Sequence, residues 1–215
     1  MPVSEIDLAS LLCSRLCHDL LSPVGSMNNG LELLADETDL AMRERCMDLL
    51  AESARSAANK LKFFRLAFGA AGGFGAAVDP AEARAVIEPL VTGSGKITLD
   101  WAVPAELMPK RAVKILLNLV LLAQDSLVRG GTLFVGSESR ANECEIVIRA
   151  NGPRIVIDAA IRDTLNGVMQ ESQIDSRTAA AWMARNLAIE NGGLVQVAEP
   201  DPEQLLIGAL VREAA

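Results

Sequence analysis

Tyrosine is absent from this chain and histidine occurs once. Aromatic residues make up 3% of the 215 positions, although 50% of positions are hydrophobic. A core rich in Ala and Leu but poor in rings suits helix-on-helix packing. Positive charge is in deficit: 20 Lys and Arg stand against 28 Asp and Glu, for a net charge of -8 and a pI near 4.8. That balance argues against non-specific nucleic-acid binding and against anionic membrane surfaces. No apolar run approaches the roughly 20 residues of a membrane span. The first residues show neither the basic start nor the apolar segment of a secretion signal. No membrane or nucleic-acid partner is therefore expected, and the cytoplasm is the expected compartment. Cysteines are few: Cys13, Cys17, Cys46 and Cys144. Cys13 and Cys17 lie one helical turn apart, but the second cysteine pair or histidine of a metal site is missing. The cysteines read as buried, reduced thiols.

The one histidine lies in Arg15-Leu16-Cys17-His18-Asp19-Leu20-Leu21-Ser22-Pro23-Val24-Gly25. Upstream, Ser4-Glu5-Ile6-Asp7 has the form of an N-cap with an acidic residue at N3. A helix is expected from there to about Ala35. On a wheel of 100° per residue, Leu12, Leu16, Leu20, Met27, Leu31 and Leu34 fall roughly opposite His18. Leu11, Ser14, Ser22, Gly25 and Asn29 fall on its own side. The core stripe thus faces away from the imidazole, which sits among mostly small polar residues. Pro23 interrupts the pattern and should kink the helix, but the stripe resumes in phase after it. A second helix is expected from Leu40 to Phe68, with its stripe at Cys46, Leu50, Ala54, Ala57, Leu61, Phe64 and Phe68.

Two long helices joined by Asp36-Glu37-Thr38-Asp39 form an antiparallel hairpin, residues 1-70. A lone hairpin covers only part of each stripe. A homodimer with a four-helix bundle is the economical remedy, though a helix from the rest of the chain could do the same. Gly and Ala dominate residues 69-77, which read as a linker. Residues 78-215 then form a mixed domain. Asp79-Pro80 opens a helix, and Lys96 to Val103 reads as a strand. Pro109 to Leu127 is helical, and Thr132–Ser137 with Glu143–Ala150 make a strand pair. A short helix is possible near Asp158, and another runs from Thr178 to Asn191. A final hairpin spans Leu194–Glu199 and Gln204–Arg212. The expected architecture is helices on one face of a mostly antiparallel sheet.

An exposed helical imidazole can act as an acid-base group, a metal ligand or a nucleophile. No second histidine or placed carboxylate cluster supports a metal site, and no nucleophile elbow supports a hydrolytic triad. Phosphoryl acceptance needs an accessible ring nitrogen, a carboxylate to orient the ring, and room for a partner. His18, Asp19 and the small residues around them supply these.

His18-Asp19-Leu20-Leu21-Ser22-Pro23-Val24 resembles the H-box of two-component histidine kinases, with Leu21 where a basic residue is usual. A dimeric hairpin followed by an ATP-binding domain is the kinase layout, so the resemblance implies an α + α/β fold. That fold is an antiparallel helical hairpin forming a dimeric four-helix bundle, followed by a degenerate kinase-like α/β sandwich. The nucleotide motifs depart from the kinase pattern. Asn118-Leu119-Val120-Leu121-Leu122-Ala123 keeps the first Asn of the N-box but has Leu122 at the second, magnesium-associated place. In Ala150-Asn151-Gly152-Pro153-Arg154, Ala150 replaces an adenine-contacting Asp and Arg154 replaces a Gly. Thr178-Ala179-Ala180-Ala181 stands where repeated glycines should admit phosphate.

This pattern is similar to the ChpT family of histidine phosphotransferases, to which Phe63-Phe64-Arg65-Leu66-Ala67-Phe68-Gly69 adds. The resemblance implies that His18 is the phosphoacceptor and that Asp19 orients it or tunes its basicity. It implies partners: a second copy of the chain, and receiver domains of a hybrid kinase and of response regulators, resembling CckA, CtrA and CpdR. Leu11, Ser14, Arg15, Leu21, Ser22, Gly25 and Asn29 become the candidate docking surface. Arg15 would meet the phosphoryl group or an acidic receiver, or only make a surface ion pair. No cofactor or metal is expected on this chain, the Mg²⁺ being the receiver's. An active kinase with divergent motifs, and a scaffold that binds receivers without carrying phosphate, are the rival readings.

Overall fold

The computed structural model describes residues 3–69, 77–104, 106–140, 142–190 and 192–212. The chain opens on α1, Glu5–Asp36, and turns through three residues into α2, Leu40–Ala67. Both starts follow from capping. Ser4 and Asp7 form a reciprocal capping box on α1, and the Asp39 side chain accepts from the Met42 amide on α2. Each cap satisfies amide donors that a helix leaves open at its first turn. α1 runs through Pro23 without interruption. Where the helices cross, Gly30 admits Leu50: a Cβ there would stand 3.1 Å from the leucine's Cδ2.

The linker read at 69–77 falls almost wholly on residues 70–76, outside the described residues. Beyond it come β1, Ala77–Val78; α3, Pro80–Thr92; β2, Ile97–Ala102; β3, Met108–Pro109; and α4, Lys110–Ser126. Then follow β4, Gly131–Arg140; β5, Glu143–Asn151; α5, Ala159–Leu165; α6, Ala179–Ile189; β6, Leu194–Val197; and β7, Gln204–Arg212. Five strands form one sheet in the order β2-β4-β5-β7-β6. Only β2 and β4 run parallel. Burial alternates strictly along β5, so one face is packed and the other open, as in sheets covered on one side.

Helices α3, α4 and α6 join the buried face of the sheet in one core. Phe63, Phe64 and Ala67, from the end of α2, enter the same core. A smaller cluster joins Leu12 of α1 to Ala179 and Met183 of α6. The open end of the hairpin is therefore seated on the sheet unit, and Lys114 ties α4 to it by donating to the Gly69 carbonyl at 2.8 Å.

Several expectations need correction. The core stripes read from helical period include Leu31, Ala54 and Leu61, yet in the single chain all three are exposed. They sit on the flank of each stripe, which the opposite helix does not reach. Cys46 and Cys144 are buried, but Cys13 and Cys17 are exposed. Those two lie on the same uncovered flank of α1. β4 and β5 extend to Arg140 and Glu143, because backbone pairing and the Arg140–Glu138 ion pair carry the ladder through a polar stretch. The two-residue sheet of β1 and β3 has no counterpart in the sequence pattern.

Candidate functional site

Helix α1 carries His18 on the side turned away from α2, and its side chain is 82% exposed. Nδ1 lies 3.1 Å from Oδ1 of Asp19. A carboxylate can only accept from it, so in the neutral ring this contact calls for the proton on Nδ1 and leaves Nε2 with the lone pair. Asp19 is itself held. Its Oδ2 accepts from Arg15 Nε at 2.8 Å, and its side chain is 16% exposed.

The proline explains a further tie. Pro23 has no N–H, so the carbonyl four residues earlier, that of Asp19, loses its helical donor. Lys60 of α2 takes the vacancy, with Nζ 2.8 Å from that oxygen. The backbone beside His18 is thus fastened to α2 at the place where the helix ladder is broken.

Arg15 does not stand free for a phosphoryl group. Its other arm donates through Nη2 to Oδ2 of Asp125, in the last turn of α4, and only 12% of its side chain is exposed. Burial works against the Arg15 charge, but Asp125 and then Asp19 outweigh it and hold the guanidinium above its ordinary range. Burial also pushes the Asp125 carboxyl up, against the pull of Arg15. With 42% of the Asp125 side chain open to water and a guanidinium on one oxygen, the ionised pair is the form this geometry holds. No sequence signal pointed to Asp125. It lies 110 residues from Arg15, and no local pattern joins them.

The remaining candidates divide. Ser14, Ser22 and Asn29 are exposed and Gly25 half-buried, all within reach of the His18 face. A Cβ at Gly25 would meet nothing within 4 Å, so its value there is low bulk. Leu21 is exposed between that face and the apolar flank. Leu11 is half-buried against the Leu12, Ala179 and Met183 cluster, where it packs on α6.

Most positions compared with the nucleotide motifs are packed among apolar neighbours. Leu122 and Ala150 are buried in the core, as are Ala180 and Ala181. Asn118 is fully buried and its amide folds back to donate to the Lys114 carbonyl at 2.8 Å. Arg154 is exposed. Among the described residues no group of three or more His, Cys, Asp or Glu could hold a metal ion. Among them, too, no helix is long and apolar enough to cross a membrane.

Fold and site together define a class: a helical hairpin presenting one exposed, carboxylate-held histidine, seated on a sheet unit whose helices α4 and α6 are packed in its core. The family model described as the histidine phosphotransferase C-terminal domain matches residues 80–203. A protein phosphotransferase ChpT from Brucella abortus (strain 2308) is 36% identical over 195 residues, 91% of each chain. A solved structure of a bacterial phosphotransferase superposes with a TM-score of 0.85 at 33% identity, over 97% of this chain and 98% of that one. The chain belongs to the histidine phosphotransferase family.

Proposed function

We propose that this protein relays phosphoryl groups between receiver domains of a two-component system, with His18 as the carrier. The observation that carries this reading is the imidazole itself: exposed, with Nδ1 engaged by Asp19 and Nε2 open. A receiver bearing an aspartyl phosphate docks over Ser14, Ser22, Gly25 and Asn29, beside Leu21. Nε2 attacks phosphorus in line with the leaving carboxylate oxygen. The P–N bond forms as the acyl P–O bond breaks, and the carboxylate stays on the receiver. The aspartate of a second receiver then attacks the same phosphorus, and Nε2 leaves. Asp19 keeps the Nδ1 proton throughout and faces the positive charge that develops on the ring. The receiver supplies its own Mg²⁺, and this chain holds neither metal nor nucleotide.

The sheet unit supports a relay rather than self-phosphorylation. Leu122 offers no ligand to a nucleotide's metal, and Ala150 offers no acceptor to adenine. The buried alanines of α6 deny phosphate the backbone approach that glycines give. By analogy with the family, the donor resembles the receiver of CckA and the acceptors resemble CtrA and CpdR, in the cytoplasm. We read residues 1–70 as the phosphotransfer domain and 78–215 as its degenerate companion.

The active unit is a homodimer. Val24 and Leu31 on α1, and Leu40, Met47 and Leu61 on α2, are exposed in the single chain. At 100° per residue they fall on one flank of the hairpin, beyond the part that the sheet unit covers. A second hairpin on that flank completes a four-helix bundle and leaves His18 outside it.

The deciding experiment incubates the purified protein with a phosphorylated receiver and, separately, with labelled ATP. Label reaches His18 from the receiver and not from ATP. Robust labelling from ATP makes the protein a kinase instead. Transfer between two receivers that survives His18→Ala makes it a scaffold.

A further inference from the structure

Four side chains form an unbroken line from the sheet unit to the imidazole. Asp125 Oδ2 accepts from Arg15 Nη2, Arg15 Nε donates to Asp19 Oδ2, and Asp19 Oδ1 faces His18 Nδ1. Nothing in a helical hairpin alone requires the first of these. Asp125 stands on α4, beyond the linker, and its only neighbours in this line are on α1.

We propose that Asp125 is a positioning residue for His18: through Arg15 and Asp19 it fixes the imidazole in the tautomer that leaves Nε2 free to take a phosphoryl group. This rests on His18 being the phosphoryl carrier. The argument is one of rigidity. An exposed arginine four residues from an aspartate on one helix holds it weakly, and both side chains keep several rotamers. Arg15 is not in that state. Its guanidinium is planar, so anchoring Nη2 on Asp125 fixes the direction of the Nε–H bond as well. That bond holds Oδ2 of Asp19, and a carboxylate held at one oxygen presents the other in a set direction. The Lys60 bond to the Asp19 carbonyl removes the remaining freedom of the backbone. The neutral ring of an unconstrained histidine side chain in water favours the opposite tautomer, with the proton on Nε2, so the arrangement works against the ring's own preference.

A domain that has lost its nucleotide groups thereby keeps a use. In place of presenting ATP, α4 presents a carboxylate that orders the acceptor histidine from below. The charge nearest the ring is the Asp19 carboxylate, of the sign that suits a ring that becomes cationic.

The single histidine makes the test direct, because the ¹⁵N spectrum of the imidazole reports one residue. Wild type should show mainly the Nδ1-protonated form. Asp125→Asn, which is isosteric and at a partly exposed site, should shift the population toward the Nε2-protonated form. Phosphorylation of His18 by phosphoramidate, in which Nε2 attacks phosphorus and ammonia leaves, should slow about tenfold, as for the loss of ~1.4 kcal/mol from the transition state. Asp125→Glu, which restores the charge, should recover both readouts in large part. An unchanged tautomer population in Asp125→Asn overturns the proposal, and so does a rate loss without a tautomer shift, which marks a merely structural role. The tautomer readout needs no receiver. A wild-type protein that fails to exchange phosphate with receivers therefore sinks the relay function and leaves this proposal to be decided by the spectrum.

Discussion

Helices α1 and α4 are built from similar residues and put to opposite use. α4 buries 12 of its 17 residues, while α1 buries three of 32: Leu12, Pro23 and Gly30. The first is the centre of a finished core. The second is a surface that the chain alone cannot cover. A helix that stays apolar on an open flank is made for contact with another molecule, whereas one that buries nearly every side has no face left for a ligand. On the proposed reading, the difference explains why the chemistry sits on α1 and not on α4, whose Asn118–Ala123 stretch only resembles a nucleotide motif.

The largest expected effect breaks the open half of this contrast. Paired substitutions Met47→Glu and Leu61→Glu should convert a dimer to a monomer by sedimentation, with the helical circular dichroism retained. A wild-type mass of one chain would remove the self-association reading altogether. The closed half breaks differently. Ala150→Asp restores the acidic residue of the nucleotide motif but places it, unpaired, in a fully buried slot. It should cost about 3–5 kcal/mol in urea unfolding and bring no ATP binding by calorimetry. Smaller in effect, Lys60→Met strands the Asp19 carbonyl that Pro23 released, and should lower stability by about 1 kcal/mol.

The smallest effect concerns the loop before α6. Burial works against the Asp175 charge, but the Thr178 amide, the Arg177 guanidinium and the Thr178 hydroxyl outweigh it and hold the carboxyl below its usual range. A depressed folded-state value means that ionisation favours the fold. The contribution is present above the unfolded value of about 3.9 and is lost as pH falls through the lower folded value. Urea midpoints measured from pH 6 down to pH 3 should therefore converge for wild type and Asp175→Asn as the acid end is approached. A constant gap between the two curves would show that the carboxylate charge is not the cause.

Much of the fold is legible in the sequence because its signals are local. The capping residues Ser4, Asp39, Asp79 and Asp158 lie next to the helices they start, and the phase of α1 alone turns His18 outward. What escapes such reading are quantities set by distant neighbours. The flank positions Leu31 and Leu61 obey helical period, yet their burial depends on what stands opposite. Cys13 and Cys17 are exposed, against expectation, for the same reason. Asp125 is invisible for a stricter one: a lone acid at the end of an apolar helix has many uses, and only the seating of α1 against the sheet unit selects this one. At the site, His18 and Asp19 are readable as a pair. Arg15 is readable as a neighbour, but not as a bridge.

The break that Pro23 makes in α1 has a consequence for how this chain can vary. A lysine at position 60 is needed only while position 23 lacks an amide hydrogen. Restoring that hydrogen with Pro23→Ala returns the Asp19 carbonyl to its own helix and makes the Lys60 contact redundant. The two sites should then be thermodynamically coupled, with the double variant less destabilised than the sum of its parts. Change at position 60 costs less once position 23 has regained its amide, so a residue on α2 becomes a silent condition on the sequence that surrounds the histidine.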